Sequence, residues 1–518
     1  MNNNGLVFNV EDRPKFAQVL VFALQQLLAI MAATIAVPAI IGHGMSASAA
    51  LFGAGVGTIV YLLFTRFKSP VFLGSSFAFL GSMAAAFAGG VSMSVGYLGL
   101  IIGAGLAGLV YVIIAIIVKF AGVNWINKLM PAVVIGPTVA IIGLSLAGNA
   151  VGDLMKGNVM KEVVNQVIKD GAIVNETGSA MVCSPFIALI CGLVTLAVTM
   201  ICSVYGKKFI KMIPFVIGIL AGYAVAAVFT VIGNAAGLDA LKIIDFSKFN
   251  SIQWYPDFTF IEAFKGGYDF NGGNIGVYIG TIAVAYVPVA FVVFAEHIAD
   301  HKNLSSIIGR DLLKEPGLHR TLLGDGVGSI AGAIFGGCPN TTYGESVGCV
   351  AISGNASVVT ILATAIMAIV ISFIGPFSTF LATIPSCVMG GVCIALYGFI
   401  AVSGLKMIQK VDLGDNCNLF VVSVILIAGV GGLTLTFGKI TITAVACSLI
   451  LGILTNLLCA KARKNSEKAE SSPNCANCEE KSEDACSTCE CAACDADKTA
   501  ETCSACKDGK AAANDKAE

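Results

Sequence analysis

Three carboxylates stand out because they lie within or at the ends of apolar runs. Glu296 ends one long run, Asp300 follows four residues later, and Glu345 lies between two further runs. A carboxylate at bilayer depth costs about 2.5–3.5 kcal/mol, so a chain that keeps such groups is expected to use them. Residues four apart share a helix face, so Glu296 and Asp300 should face the same pocket. The alternative is a boundary position for Glu296 or Asp300, at the end of the apolar run.

Two short motifs indicate interrupted helices near these carboxylates. Each has two hydroxyl residues, an aromatic residue and a small residue, with Pro70 or Pro339 upstream: Ser75–Ala78 and Thr341–Gly344. Proline and glycine before the hydroxyl pair favour an extended stretch followed by a helix start, which Thr341 or Thr342 would cap. The free N–H groups of such a half-helix can donate to carbonyl oxygens of a ligand. Proline kinks with small residues for helix packing are the alternative.

The remaining polar residues of the apolar runs have two interpretations each. Gln25 and Gln26 lie in mid-run. One of them, which we take to be Gln26, is expected to line the cavity, and hydrogen bonding between helices is the alternative. His297 and His301 lie off the Glu296 face and are interpreted as boundary residues. Asp325 is either a helix cap, which we favour, or a member of a polar network.

The composition requires a membrane protein. The chain has 518 residues, of which 56% are hydrophobic and 12% charged, against about 25% charged in a soluble protein. A span needs about 20 apolar residues. Runs and breaks then predict an all-α polytopic protein of 14 spans, with short extended segments breaking the third and tenth, at residues 16–41, 47–65, 70–90, 95–118, 131–149, 182–204, 213–237, 275–298, 321–337, 340–353, 356–376, 380–403, 418–436 and 441–460.

The loop charges predict the orientation of these spans. With the N-terminus inside, cytoplasmic segments carry 18 basic residues and outside loops carry seven, in agreement with the positive-inside rule. Both termini are then cytoplasmic. The two motifs lie seven spans apart, so the halves would form an inverted repeat, a pattern that marks the binding site of a transporter. No basic cluster predicts a nucleic-acid partner.

Residues 461–518 form a separate region. This tail has nine basic and 13 acidic residues and lacks apolar periodicity, so disorder is expected. It holds four CxxC pairs, whose spacing suits tetrahedral thiolate binding of zinc. Iron–sulfur ligation, reversible thiol redox chemistry and a cysteine-biased low-complexity tail are the alternatives. The pairs are Cys475 and Cys478, Cys486 and Cys489, Cys491 and Cys494, and Cys503 and Cys506.

Between about residues 10 and 460 the chain resembles the nucleobase–ascorbate transporter family, in particular its bacterial uracil permease branch. The most specific matching segments are 74–79, 295–300, 309–313, 316–320 and 339–345. The resemblance implies 14 spans in two inverted sevens, a dimeric assembly, and a core and a gate domain. We place an N-terminal cytoplasmic segment at 1–15 and the transporter domain at 16–460. Its core comprises about 16–118 and 275–376, and its gate about 131–237 and 380–460.

The resemblance also assigns roles to individual residues. Glu296 and Glu345 match the two substrate-binding carboxylates of the family, while Phe77 and Gly344 match residues whose backbone N–H groups contact the base. We include Tyr343 among the substrate-binding residues. Asp300 stands where uracil permeases often carry His, a position tied to proton coupling. In addition, Gln26 replaces the usual His of a Gln-His pair, and Ser346 replaces the usual Asn.

These observations predict a secondary transporter that imports uracil with protons, without a cofactor, across a bacterial inner membrane. Uracil offers two ring N–H donors and two carbonyl acceptors, which suit carboxylates and backbone N–H groups respectively. Burial and a neighbouring carboxylate both favour proton uptake. A xanthine or broader purine and pyrimidine permease is one alternative, and an anion transporter of the related sulfate-permease architecture is another. No nucleophile–base motif in the spans predicts an enzyme. Sodium remains an alternative coupling ion.

Overall fold

A computed structural model describes residues 6–122, 125, 129–169, 172–207, 209–271, 274–437 and 440–470. The chain divides into one unit up to Leu457 and a second from Leu458 onward, and the first holds the site. Its N-terminal half contains α1 (Phe16–Ile41), α2 (Ala47–Phe64), β1 (Leu73–Ser75), α3 (Leu80–Ala86), α4 (Met93–Ala121), α5 (Ala132–Ser145), α6 (Ala147–Asp153), β2 (Met160–Lys169), β3 (Ala172–Met181), α7 (Pro185–Tyr205), α8 (Phe209–Met212) and α9 (Pro214–Ala236).

The second half of the chain continues the same helical pattern. It contains α10 (Thr259–Lys265), α11 (Ile275–Ile308), α12 (Leu318–Gly336), β4 (Asn340–Thr342), α13 (Gly344–Ser353), α14 (Val358–Ile371), α15 (Gly375–Thr383), α16 (Ser386–Ile408), α17 (Asn416–Val430), β5 (Leu435–Phe437), β6 (Ile440–Ile442) and α18 (Ala444–Glu470).

Eight helical segments of the described chain are long and apolar enough to cross a membrane. A ninth crossing is added if α14 and α15, which meet at an angle of 85°, count as one bent span. The polytopic helical class is thereby confirmed, while the count of 14 spans and the inverted repeat stay predictions. Within the predicted span 356–376 the first helix ends at Ile371, and a second helix follows at 85° to it. Gly375 and Pro376 start a new helix there, because proline suits the first turn of a helix.

The all-α description is wrong in two regions, of which the first is the larger. Residues predicted as an outside loop form a β-hairpin, in which β2 pairs with β3 antiparallel from Met160 opposite Met181 to Lys169 opposite Ala172. The signal was present in the sequence. Two runs rich in valine and isoleucine flank the dipeptide Asp170-Gly171, which is typical of a hairpin turn. A second, short hairpin pairs β5 with β6.

The two interrupted segments lie together. Strand β1 pairs with β4 antiparallel, with Leu73 opposite Thr342, Gly74 opposite Thr341 and Ser75 opposite Asn340. Each strand leads into helical structure, a 3-10 turn at Phe77–Phe79 followed by α3 on one side, and α13 on the other. The extended segments therefore coincide with the two sequence motifs. The helical turns that follow β1 and β4 begin next to each other.

Glycines bring α2 and α12 into close contact. A Cβ atom built on Gly53 would lie 2.4 Å from the Gly332 carbonyl oxygen, and one on Gly57 would lie 2.7 Å from that of Gly328. Side chains at these positions would hold the helices apart, whereas glycine lets the backbones approach, as is common in membrane helix pairs. This contact fixes α12, which follows α11, against the helix that precedes β1.

The N-terminal segment is attached to the connection between α13 and α14. The N–H groups of Val7 and Phe8 donate to the Gly354 carbonyl, and the N–H of Ala356 donates to the Phe8 carbonyl. Nearby, an ion-pair cluster joins three segments, with Arg310 contacting Glu11 at 2.8 Å and Glu315 at 2.8 Å, and Lys68 contacting Glu315 at 2.6 Å. The hydrogen bond from Lys68, with the charge of Arg310, holds the pKa of Glu315 below its usual value.

We expect Gly53→Ala to lower the melting temperature of the purified protein, because its new methyl group would meet the α12 backbone. Overpacking of this kind costs about 1–3 kcal/mol. Gly105→Ala in α4 is the matched control, since a Cβ there meets nothing within 4 Å. Equal melting temperatures for the two variants would contradict the close packing of α2 and α12.

Candidate functional site

A cavity of about 370 Å³ lies between the two interrupted segments and helix α11. Among the described residues, its lining includes three carboxylates, those of Glu296, Asp300 and Glu345, and one cation, Lys211. The other lining residues are contributed by both interrupted segments and by α1, α5, α7, α9, α11, α13 and α16: Ala29, Ser76, Phe77, Ala78, Val139, Ile142, Ser203, Pro214, Phe215, Ala299, Asn303, Thr341, Thr342, Tyr343, Gly344, Gly348, Cys349, Ile352, Phe399, Ile400, Ser403 and Met407.

Helix α11 positions two of the carboxylates one turn apart. Glu296 and Asp300 are both half-buried on the cavity face of this helix. The Thr342 hydroxyl donates a hydrogen bond of 2.9 Å to Asp300 Oδ2, which ties α11 to β4. A Cβ atom on Gly344 would lie 3.9 Å from Asp300 Oδ1. The carboxylate of Asp300 is therefore adjacent to the start of α13.

Glu345 lies in the first turn of α13, where a negative charge interacts favourably with the helix dipole. Gly344 precedes it as the first helical residue, and because it has no side chain its exposed backbone lines the cavity. The expected threonine cap is wrong. The cap position is Tyr343, without a capping side-chain bond, and the Thr342 hydroxyl bonds to Asp300 instead.

Tyr343 lines the cavity but directs its hydroxyl to the opposite strand. Tyr343 Oη donates to the Ser75 carbonyl at 2.8 Å and is 3.5 Å from Thr34 Oγ1. The ring fills the space above Gly74, where an added Cβ would lie 2.3 Å from a ring carbon. The hydroxyl thus holds β1 and β4 together, and only the ring is left for contact with a ligand.

Gln26 is not one of the described residues that line the cavity, which differs from its predicted position. Its Nε2 donates to Ser346 Oγ at 2.6 Å, and the Phe72 N–H donates to the same oxygen at 3.2 Å. Ser346 therefore links α1, the segment before β1 and the start of α13. The two positions at which the sequence departs from the expected family pattern, Gln26 and Ser346, are therefore in direct contact.

Phe77 lies beside the first interrupted segment at the cavity wall. Its ring packs edge-on against Tyr397 of α16, with centroids 5.5 Å apart at an interplanar angle of 83°. This contact joins the residues expected to form the core with those expected to form the gate. The structure thus brings together Glu296, Asp300, Glu345, Phe77 and Gly344 around one cavity, as the sequence predicts.

A second polar layer lies behind the carboxylates, on the buried side of α11. His297 and His301 are completely buried, so their interpretation as boundary residues is wrong. His297 Nδ1 is 2.7 Å from Asp325 Oδ2, and its Nε2 is 3.0 Å from Thr321 Oγ1. Asp325 lies inside α12 and is buried, so it is a network member rather than a cap. The spacing of four residues between the two histidines, which places them on one helix face, was the sequence pattern that could have predicted a shared buried network.

The network extends from His301 to α2. His301 Nδ1 is 2.8 Å from the His297 carbonyl, and a carbonyl only accepts, so Nδ1 carries the hydrogen. In the neutral ring, Nε2 then accepts from the Tyr61 hydroxyl at 2.7 Å, which in turn is 2.7 Å from Ser69 Oγ. This chain of bonds fixes the orientation of α11 and hence of the carboxylates on its other face.

Tyr61→Phe should destabilise the protein by about 1–3 kcal/mol, because it leaves His301 Nε2 and Ser69 without their buried partner. Tyr111→Phe is the matched control, since the buried Tyr111 hydroxyl has no hydrogen-bond partner in the described part of the chain. Melting temperatures of the two purified variants are the measurement. A larger loss for Tyr111→Phe than for Tyr61→Phe would contradict the network.

The predicted metal ligands of the tail, Cys475 to Cys506, lie outside the described residues. Among the residues that are described, no cluster of three or more His, Cys, Asp or Glu side chains has the arrangement of a metal site. Eight cysteines before the tail are free thiols in the described structure: Cys183, Cys191, Cys202, Cys338, Cys349, Cys387, Cys393 and Cys447.

Several apolar spans around two interrupted helices and a polar cavity define a membrane protein of the transporter class. Two solved structures share the fold. The transmembrane domain of a cyanobacterial bicarbonate transporter, BicA, matches with a TM-score of 0.54 at 14% identity, covering 86% of this chain and 99% of that one. The murine anion transporter Slc26a9 in its inward-facing state matches with a TM-score of 0.57 at 12% identity, covering 87% and 70%.

The sequence comparisons narrow the class to one family. Residues 17–438 match the model described as Permease family. A uracil permease of Bacillus caldolyticus is 39% identical over 88% of this chain and 95% of its own length. That of Bacillus subtilis (strain 168) is 37% identical over 91% and 99%, and that of Escherichia coli (strain K12) 33% over 87% and 93%. The chain belongs to this family of nucleobase–ascorbate permeases, which are transporters and not enzymes, and the predicted resemblance is confirmed.

Proposed function

We propose that this protein imports uracil by proton symport. The observation that carries the proposal is that Glu296 of α11 and Glu345 of α13 line one cavity, together with the exposed backbone of Gly344. Three similar proteins that are named uracil permeases support the choice of substrate.

The donors and acceptors of the cavity complement those of a uracil ring. Ionised Glu296 and Glu345 only accept hydrogen bonds, so they suit the two ring N–H groups. The backbone N–H groups beside Phe77 and at Gly344 suit the carbonyl oxygens, and the Tyr343 ring provides an apolar wall. Every polar edge of the base then has a partner, which is required when it leaves water.

Proton coupling rests on the crowding of three carboxylates. Like charges at close range disfavour simultaneous ionisation, and removal from water disfavours it further. Uptake of a proton reduces the negative charge of the site, and a neutral base can then cross with it. We assign the coupling role to Glu296 and Asp300, one turn apart on α11.

The proposed conformational cycle is of the elevator type. The core, about residues 16–118 and 275–376, would carry the site past the gate, about 131–237 and 380–460. We further propose 14 spans in two inverted sevens, both termini in the cytoplasm of a bacterium, and a homodimer. The cavity lies near the C-terminal ends of α7, α11 and α16, through Ser203, Asn303 and Met407. These are the ends that the loop charges place in the cytoplasm, so the proposed state is inward-facing.

Two alternative substrate classes are compared with the same cavity. A xanthine or broader base permease would use the same carboxylates, so it would differ from a uracil permease only in the shape of the cavity wall around the base. An anion transporter is disfavoured, because the described residues that line the cavity include three carboxylates and only one lysine. The cysteine tail is proposed to bind zinc or to act as a thiol switch, separately from transport.

Glu345→Gln should weaken uracil binding about tenfold, equivalent to about 1–2 kcal/mol, because the amide keeps one acceptor but loses the charge. Glu345→Ala should cost more, since a ring N–H is left unpaired. Glu296→Gln should abolish gradient-driven uptake as well, because an amide cannot carry a proton. Binding and uptake in reconstituted vesicles are the measurements.

Glu262→Gln is the control for these variants, since Glu262 contacts Lys265 and lies outside the cavity. Its uptake should equal that of the wild type. Wild-type affinity in Glu345→Ala would place the base elsewhere and refute the proposed site.

Asp300→Asn is expected to shift the pH dependence of uptake towards lower pH. Removal of one negative charge lets Glu296 release its proton more readily, so a higher proton concentration is needed to load it. Uptake of labelled uracil across a pH series measures the shift, with excess xanthine as competitor in a parallel series. An unchanged profile in a correctly inserted variant would return Asp300 to a boundary role.

A further inference from the structure

Lys211 is the cation among the described residues that line the carboxylate cavity. It is exposed, and it takes part in none of the ion pairs within 4.0 Å that the described residues form. Lys211 thus shares one cavity with three carboxylates and is ion-paired to none of them, so its charge is available if the cavity rearranges or a carboxylate ionises. The sequence motifs gave no indication of this residue, which lies in a loop between two predicted spans.

The short helix that carries Lys211 lies where the predicted gate meets the predicted core. Helix α8 connects α7 and α9, yet it also contacts α1 and α13. Directly after it, Ile213 packs with Ala29 of α1 and Cys349 of α13 in one small apolar cluster. Lys211 is therefore fixed beside the helix that carries Glu345, although the chain assigns it to the gate.

The charged surroundings of Lys211 are mainly negative on the cavity side. Helix α13 contributes Glu345 and α11 contributes Glu296 and Asp300, whereas α1 and α9 contribute no charged residue to the lining. Other charged or titratable residues on the neighbouring segments are Tyr205 and Lys207 around the end of α7, Lys208, Lys302 of α11 and Lys406 of α16. Of these, Tyr205, Lys207, Lys302 and Lys406 lie outside the cavity lining, and Lys208 lies outside the described residues.

We propose that Lys211 is a counter-charge for the empty site in this conformation. It stabilises the ionised carboxylates after the base and the proton have left, and so assists the release of the proton on the side to which the cavity opens. The inference rests on the proposed symport function. It adds a residue of the predicted gate, Lys211, that stabilises the ionised form of the carboxylates.

The proposed role separates two transport modes. Net uptake requires that the site release its proton inside, and Lys211 favours the ionised product of that step. Exchange of unlabelled internal uracil for labelled external uracil can proceed with the proton retained, so it does not need the counter-charge. Loss of Lys211 should therefore slow net uptake and leave exchange unchanged.

The test uses the full-length protein in vesicles whose internal pH is set. Lys211→Met should reduce net uracil uptake at neutral internal pH roughly five- to tenfold, with exchange within about twofold of the wild type. Raising the internal pH by about one unit should restore net uptake, because the carboxylates then release their proton without the lysine. A purely structural defect would lower both modes and would not respond to internal pH.

Lys211→Arg keeps the charge and should behave like the wild type. Lys207→Met, four residues earlier and outside the cavity lining, is the matched control. If Lys211→Met does not fold, Lys211→Gln serves in its place, and failure of both would make the residue structural and overturn the proposal. Equal loss of uptake and exchange, or a wild-type profile in Lys211→Met, would also overturn it. Absence of uracil uptake by the wild type would instead refute the proposed function.

Discussion

The pairing of β1 with β4 is the constraint on which the rest of the site depends. Inside a bilayer no water is available to satisfy exposed backbone groups, so a helix can be interrupted only where the freed groups find partners. Each of the two interrupted segments provides partners for the other, through Gly74 opposite Thr341 and its two flanking pairs. Neither interruption would be stable alone, which explains why the two motifs occur together in one sequence.

This pairing has consequences for the residues around it. Glycine is needed at position 74 because the Tyr343 ring occupies the space of its side chain. The Tyr343 hydroxyl and Ser346 then secure the strand and the start of α13. These hydrogen bonds fix the start of α13 and thereby position Glu345 in the cavity. The Thr342 hydroxyl of β4 donates to Asp300. The polar network behind α11 orients the remaining carboxylate, so both walls of the cavity are held by buried hydrogen bonds.

Much of the site could be predicted from residue type and spacing. Carboxylates in apolar runs are costly enough to be conspicuous, and the repeated motif pointed to both interruptions. The interruptions could not be shown to pair, because pairing depends on how distant segments pack. The contacts of His297, Asp325 and Lys211 could not be predicted for the same reason, since their partners lie on distant segments. A polar residue at the end of an apolar run has the same local pattern whether it meets headgroups or a buried partner. The hairpin of β2 and β3 was missed because its residues lie between two predicted spans and were assigned to an outside loop without a search for paired strands.

The most direct test of the central claim is a structure of the purified protein with uracil, determined by electron cryo-microscopy in a lipid environment. We expect one planar base in the cavity between β1, α11 and α13. Its ring nitrogens should lie within about 3.2 Å of carboxylate oxygens of Glu296 and Glu345, and one carbonyl oxygen should face the backbone at Gly344. A base bound elsewhere, or one that contacts neither carboxylate, would contradict the account.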